Sequence, residues 1–187
     1  MYPYIRFARV VLGSRFGPRL VFSSESVLSL RIWPGDIDLF PEVNNGRHLT
    51  LMDLGRFDLA LRSGFVGVLH RQRWGLTVGG ASVRFRRRVP PFSKVRLRTQ
   101  IVGHDERWFY FHQRIERDGA TCSAALVRAG VTSGGRLVPV PAVLQAADLT
   151  DWRPELPAWV RAWIEADDTR PWPPDSAGGS EGTADGK

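Results

Sequence analysis

One cysteine, two methionines and two lysines in 187 residues leave several kinds of chemistry without material. A lone Cys122 excludes an intramolecular disulfide and any zinc site built on several cysteines. It points to a reducing compartment, so a cytoplasmic location is the expectation. His48, His70, His104 and His112 show no metal-ligand spacing, and neither a metal nor a cofactor is expected. No apolar run approaches the roughly 18 residues that a membrane-spanning helix needs. A Gly-x-Ser-x-Gly elbow, a Gly-x-Gly-x-x-Gly turn and a P-loop are all missing, so neither a serine hydrolase nor a Rossmann or P-loop nucleotide fold has its signature.

What is present is a 43% hydrophobic chain, long enough for one well-buried domain and short for two. Its net charge is +7, carried almost wholly by arginine, because Lys94 and Lys187 are the only lysines. Arginine's planar fork suits phosphate, and a nucleotide-bearing ligand, nucleic acid or an anionic membrane would each fit the excess. No recognisable nucleic-acid module accompanies it, so no nucleic-acid partner is expected.

Residues 1–22 mix an apolar cluster with Arg6, Arg9, Arg15 and Arg19 and lack a small-residue cleavage site. They read as a basic docking arm and a poor signal peptide, with an amphipathic membrane contact as the lesser reading. A core domain is expected over 23–145 and a Trp-rich helical extension over 146–166. Residues 167–187, without Val, Ile or Leu, read as a disordered tail.

Inside the core, residues 24–33 alternate as a first strand and Pro34-Gly35 ends it. The stretch from Asp36 to His48 then concentrates aspartate, asparagine and helix breakers before an apolar segment, 49–64. There Leu51, Leu54, Phe57 and Leu61 step at helical spacing, and Gly64 supplies the stop. Asn44 or Asn45 can cap that helix. Four strand patterns follow at 76–89, 94–104, 107–117 and 121–133, with a short fifth at 136–140. Asp118-Gly119 is a hairpin signal. If the strands flanking Pro90-Pro91 pair, Arg84, Arg86 and Arg88 share a face with Lys94, Arg96 and Arg98. That face is either a solvated surface or a patch for phosphates.

The run Asp36-Ile-Asp-Leu-Phe-Pro-Glu-Val-Asn-Asn-Gly-Arg-His48, the following Met52-Asp-Leu-Gly-Arg56 and the strand-only second half resemble the hotdog-fold acyl-CoA thioesterases, in the 4-hydroxybenzoyl-CoA thioesterase-like branch. The subgroup signature is Asp-x-Asp-x-x-x-His-x-Asn-Asn-x-x-Tyr, from which Glu42 and His48 depart. The resemblance implies an α+β hotdog fold, an antiparallel sheet wrapped around one long central helix. It implies homodimers or homotetramers formed by sheet pairing, with active sites at the subunit interface. Asp38 matches the family's catalytic carboxylate, and the backbone NH of Asn45 matches the group that polarises the thioester carbonyl.

Elementary chemistry supports the same pair. A helix N-terminus offers unpaired NH groups and the positive end of a dipole to a developing oxyanion, and a carboxylate just upstream can face it. The competing reading is that Asp36 and Asp38 cap the loop or pair with Arg47. Asp53 is the second choice, because another hotdog branch carries its carboxylate on the helix; a simple ion pair with Arg56 is its ordinary role. Asn44, His48, Arg84, Arg86, Arg88 and Arg96 are the substrate-binding candidates, the arginines for coenzyme A phosphates. The expected activity is hydrolysis of an acyl-CoA thioester, and the alternative is an acyl or lipid binder without turnover.

Overall fold

The computed structural model describes residues 2–171. The chain divides into two compact units, Met1–Glu155 and Leu156–Lys187. In the first, α1 (Tyr4–Phe16) precedes β1 (Ser26–Arg31), then come α2 (Asn45–Arg62) and α3 (Phe65–Gln72). The strands follow as β2 (Gly75–Phe85), β3 (Lys94–His104), β4 (Phe109–Arg117), β5 (Ala120–Ser133) and β6 (Arg136–Val138), and α4 (Val140–Ala146) closes the unit. The second unit holds α5 (Ala158–Asp168). The tail expected to be disordered lies, from residue 172 on, outside the described residues. Among the described residues no helix is long and apolar enough to cross a membrane.

The sheet is antiparallel in the order β1-β3-β4-β5-β2, with β6 added to β5. It wraps α2, whose inward face carries Leu51, Met52, Leu54 and Leu59, each at most 1% exposed. Leu51, Met52 and Leu54 meet Val95, Leu97, Ile115 and Val127 from the strands, the helix-on-sheet layering that an apolar sheet face requires. A second cluster, around Phe22, Phe65, Phe109 and Val143, continues the core past the helix C-terminus. Gly55 is the point of closest approach. A Cβ there would lie 2.2 Å from Thr99 Oγ1 and 3.0 Å from Leu97, so only glycine lets the helix sit this deep in the sheet.

One expectation gains detail and one changes. The stretch read as an arm is a helix anchored to the body: Val10 is buried, and Arg6 reaches Asp36 through both terminal nitrogens at 2.8 and 2.6 Å. The interrupting arginines that spoiled its apolar pattern include the anchor. Second, β2 does not pair with β3. It pairs with β5 at one edge of the sheet, while β3 lies between β1 and β4 near the other edge. Residues 86–93 are a crossover between the two, tied by the Arg86 and Arg87 amides to Cys122 O and by the Phe92 amide to Ile32 O. Arg84 and Arg96 therefore belong to strands separated by β4 and β5, and no shared basic face forms.

Candidate active site

Asp36 and Asp38, two residues apart, have opposite fates. Asp36 is 2% exposed and receives the Trp33 amide at 2.8 Å, Arg47 Nε at 2.8 Å and the Arg6 fork. Burial alone would raise its pKa, but the hydrogen bonds from Arg6, the Trp33 amide and Arg47 outweigh it and hold the carboxyl below its ordinary value. Asp36 is thus the pin that fastens α1 and the first turn of α2 to the loop, the structural role open to either aspartate.

Asp38 stands on a short hairpin. Ile37 bridges Val43, the Asp38 amide donates to Glu42 O at 2.9 Å, and the Asn44 amide donates to Asp36 O at 2.9 Å. One arm carries Asp38 and the other runs directly into α2. The carboxylate accepts the Phe40 amide on Oδ1 at 2.8 Å, an Asx turn, and its other oxygen has no partner among the described residues.

At the head of α2, Asn44 is the cap, its side chain accepting the Gly46 amide at 3.0 Å. The Arg47 and His48 amides are both taken by Asn44 O. Asn45 NH is left as the first-turn donor without a protein acceptor among the described residues, at the positive end of an 18-residue helix. A bound carbonyl oxygen could complete it.

The two departures from the signature each have a partner. Glu42 pairs with Arg88 Nε at 3.2 Å, joining the hairpin to the crossover from β2. His48, 4% exposed, shares a 2.8 Å hydrogen bond between Nδ1 and Ser123 Oγ and meets the Phe85 ring edge-on. Burial lowers its pKa to about 4, partly opposed by a hydrogen bond to the Val43 carbonyl, so at neutral pH it is an uncharged post between α2 and β5. Sequence gave no sign of Ser123, because nothing in a strand pattern says which of its residues will face a helix turn.

Asp53 sits well along α2. Arg56 Nη2 holds its Oδ1 at 2.5 Å, and Arg56 Nη1 donates to Gln113 Oε1, also at 2.5 Å. Gln113 in turn donates to Met52 O and Thr99 Oγ1 at 2.7 and 2.8 Å, which satisfies a buried polar chain inside the sheet. Asp53 and Arg56 lie at a cavity of about 270 Å³ between α2 and β2, which Ser63 and Thr77 also line and whose walls are otherwise apolar, with Phe57, Phe65, Leu76, Val78, Phe109 and Phe111. This cavity was not legible in the sequence, since its walls come from six helices and strands and the loop residues Phe22 and Ser63.

The candidate arginines scatter. Arg84 lies one residue from Phe85, and since Phe85 meets the helix, strand alternation turns Arg84 to the sheet's outer face. Arg86 and Arg88 fall past the end of β2, in the crossover that runs beside the α2 entrance where the Val43 amide donates to Val89 O. Arg96 is far along the sheet, beside β1. Cys122 is buried, and burial raises its thiol pKa, which suits a packing residue. Among the described residues no group of three or more His, Cys, Asp and Glu side chains converges on a metal position.

Comparison with known proteins agrees with this architecture. Residues 32–164 match the family model of the thioesterase-like superfamily. Protein THEM6 of Drosophila melanogaster is 29% identical over 134 residues, covering 70% of this chain and 67% of its own length. Among solved structures, a probable thioesterase from Escherichia coli aligns with a TM-score of 0.61 at 15% identity, over 66% of this chain and 96% of its own. A thioesterase complexed with coenzyme A and Zn from Thermus thermophilus aligns with a TM-score of 0.58 at 20% identity, over 69% and 96%. At such identities the structural likeness speaks to the fold, and the fold is hotdog.

Proposed function

Since the chain belongs to the thioesterase-like superfamily, we propose that it hydrolyses an acyl-CoA thioester to the free acid and coenzyme A. The observation that carries this reading is the pairing, on one hairpin and helix start, of an Asp38 oxygen without a partner and an Asn45 NH without an acceptor. Asp38 takes the proton of an attacking water, or attacks the carbonyl itself. Asn45 NH receives the negative charge that develops on the carbonyl oxygen, and the thiolate of coenzyme A leaves. Arg86 and Arg88, beside the α2 entrance, are the cations positioned for the phosphates, and Glu42 steadies Arg88. The cavity between α2 and β2 receives the acyl group.

The assembly belongs to the same proposal. β2 has β5 on one side and, among the described residues, no strand on the other, with Leu76, Val78 and Phe85 all exposed. A long apolar edge strand of this kind pairs readily with another copy. Antiparallel pairing of two β2 edges makes a homodimer with one continuous sheet.

A second reading takes Asp53 as the carboxylate, because its side chain borders the apolar cavity. Eight residues of helix separate it from Asn45, about 12 Å at 1.5 Å per residue. It would therefore need the Asn45 NH of a second copy, and Arg56 already occupies one of its oxygens. The assay that tests hydrolysis is thiol release from a panel of aliphatic and aromatic acyl-CoA esters. Turnover of any of them supports the proposal. Saturable binding of the same esters with no thiol released would instead make the protein an acyl binder.

A further inference from the structure

The opposite edge of the sheet carries a second, separate feature. Ile32 donates its amide to Ser93 O and accepts from the Phe92 amide, so its main-chain groups face the β3 side. In an antiparallel ladder these groups alternate between the two edges. Leu30 and Leu28 thus face β3 with Ile32, while Val27, Ser29 and Arg31 present theirs outward. Arg31 O is taken by Arg6 Nη2 at 2.8 Å. The rest of that outward row has no partner among the described residues.

Across from it stands α1, and the two enclose a cleft of about 960 Å³. Val10, Leu28, Leu30 and Val95 give it an apolar floor. Gly13 opens the helix wall, for a Cβ there would meet nothing within 4 Å. The acids on its rim are spoken for: Asp58 holds Ser26 and Arg62, Glu116 holds Arg98, and Asp118 pairs with Arg117. Arg9, Arg31, Lys94 and Arg96 line the same cleft, exposed and without a counter-charge among the described residues. Arg31 lies directly opposite Lys94 in the ladder, and Arg96 opposite Ser29. Like charges facing each other across strands repel, and among the described residues nothing offsets them.

We propose that this cleft binds an extended, acidic peptide segment of a partner protein, which adds to β1 as a further strand. The free main-chain row asks for another main chain. The alternation along β1 sets the pattern of the ligand, apolar side chains toward Val10 and Leu30 and acidic ones toward Arg31, Lys94 and Arg96. This site accounts for Arg96, and its lining includes none of Asp38, Asn45, Arg86 and Arg88.

The probe is a fluorescein-labelled peptide of alternating aspartate or glutamate and valine, seven residues long, titrated with the full chain and read by fluorescence anisotropy. The proposal expects saturable binding, at least tenfold weaker to the Arg31→Glu/Lys94→Glu double variant and at least tenfold weaker to Gly13→Phe, which fills the cleft without changing charge. It also expects at least tenfold weaker binding of the same peptide N-methylated at alternate residues. Thiol release from acyl-CoA stays unchanged in the double variant, which separates this site from the proposed catalysis and serves as its folding control. Equal binding of the N-methylated peptide would reduce the effect to charge attraction and overturn strand addition. Displacement of the peptide by coenzyme A would give the cleft to the nucleotide and overturn the peptide assignment.

Discussion

His48 shows how one residue can be legible as important while its contacts are not. Its place in the first turn of α2 made it a candidate ligand contact, and the structure makes it a buried strut on Ser123. The neutral imidazole is the folded form, since its pKa falls from 6.5 to about 4. A depressed value means the stabilising contribution is complete above pH 6.5 and is lost as pH falls toward 4, at most about 3 kcal/mol at 1.36 kcal/mol per unit. Urea unfolding at pH 7 and pH 4 should therefore show a loss in the wild type that is smaller by up to about 3 kcal/mol in His48→Gln, whose amide does not titrate. Equal losses in the two proteins would remove His48 as a source of acid sensitivity. Glu42 is the companion case. Only the crossover from β2 brings Arg88 to it, so its pairing could not be read from the hairpin alone.

At the scale of elements, the strands were legible because alternation and turn residues are local signals. The expected span 94–104 is β3 itself, and the Asp118-Gly119 hairpin joins β4 to β5 with both residues at positive φ. The helix after Asn44 was equally visible, with Gly64 at φ 78° ending it. Short helices were not: α3 and α4 have eight and seven residues, too few turns for a periodic pattern to declare itself. Strand order escaped for a different reason. Neighbours in sequence usually pair, and the crossover at 86–93 breaks that rule, which is why the basic face that depended on β2 pairing with β3 does not form. The depth of α2 in the sheet also has a local cause, Gly55. Replacing it with alanine forces a methyl against Thr99 and Leu97 and should cost about 1–3 kcal/mol, the usual range for overpacking. Urea denaturation of Gly55→Ala measures it. An unchanged midpoint would mean that helix and sheet can separate freely at that point.

For the whole molecule, the hotdog architecture leaves two sheet edges with different surroundings. The β2 edge is apolar and long, the β1 edge basic and faced by α1. Val78→Lys places a charge on the β2 edge and should shift the light-scattering mass from dimer toward monomer, with little effect on the melting of the monomer fold. An unchanged mass would put the interface elsewhere. The proposed catalysis rests on the Asp38 carboxylate, carried on the hairpin that leads into α2. The decisive measurement is the steady-state rate of thiol release from the preferred acyl-CoA ester by Asp38→Asn, with Asp53→Asn in parallel. Loss of a base or nucleophile predicts a fall in kcat of about 100-fold or more for Asp38→Asn, with native folding and KM little changed, and a smaller effect for Asp53→Asn. Wild-type turnover by Asp38→Asn together with an inactive, folded Asp53→Asn would contradict it.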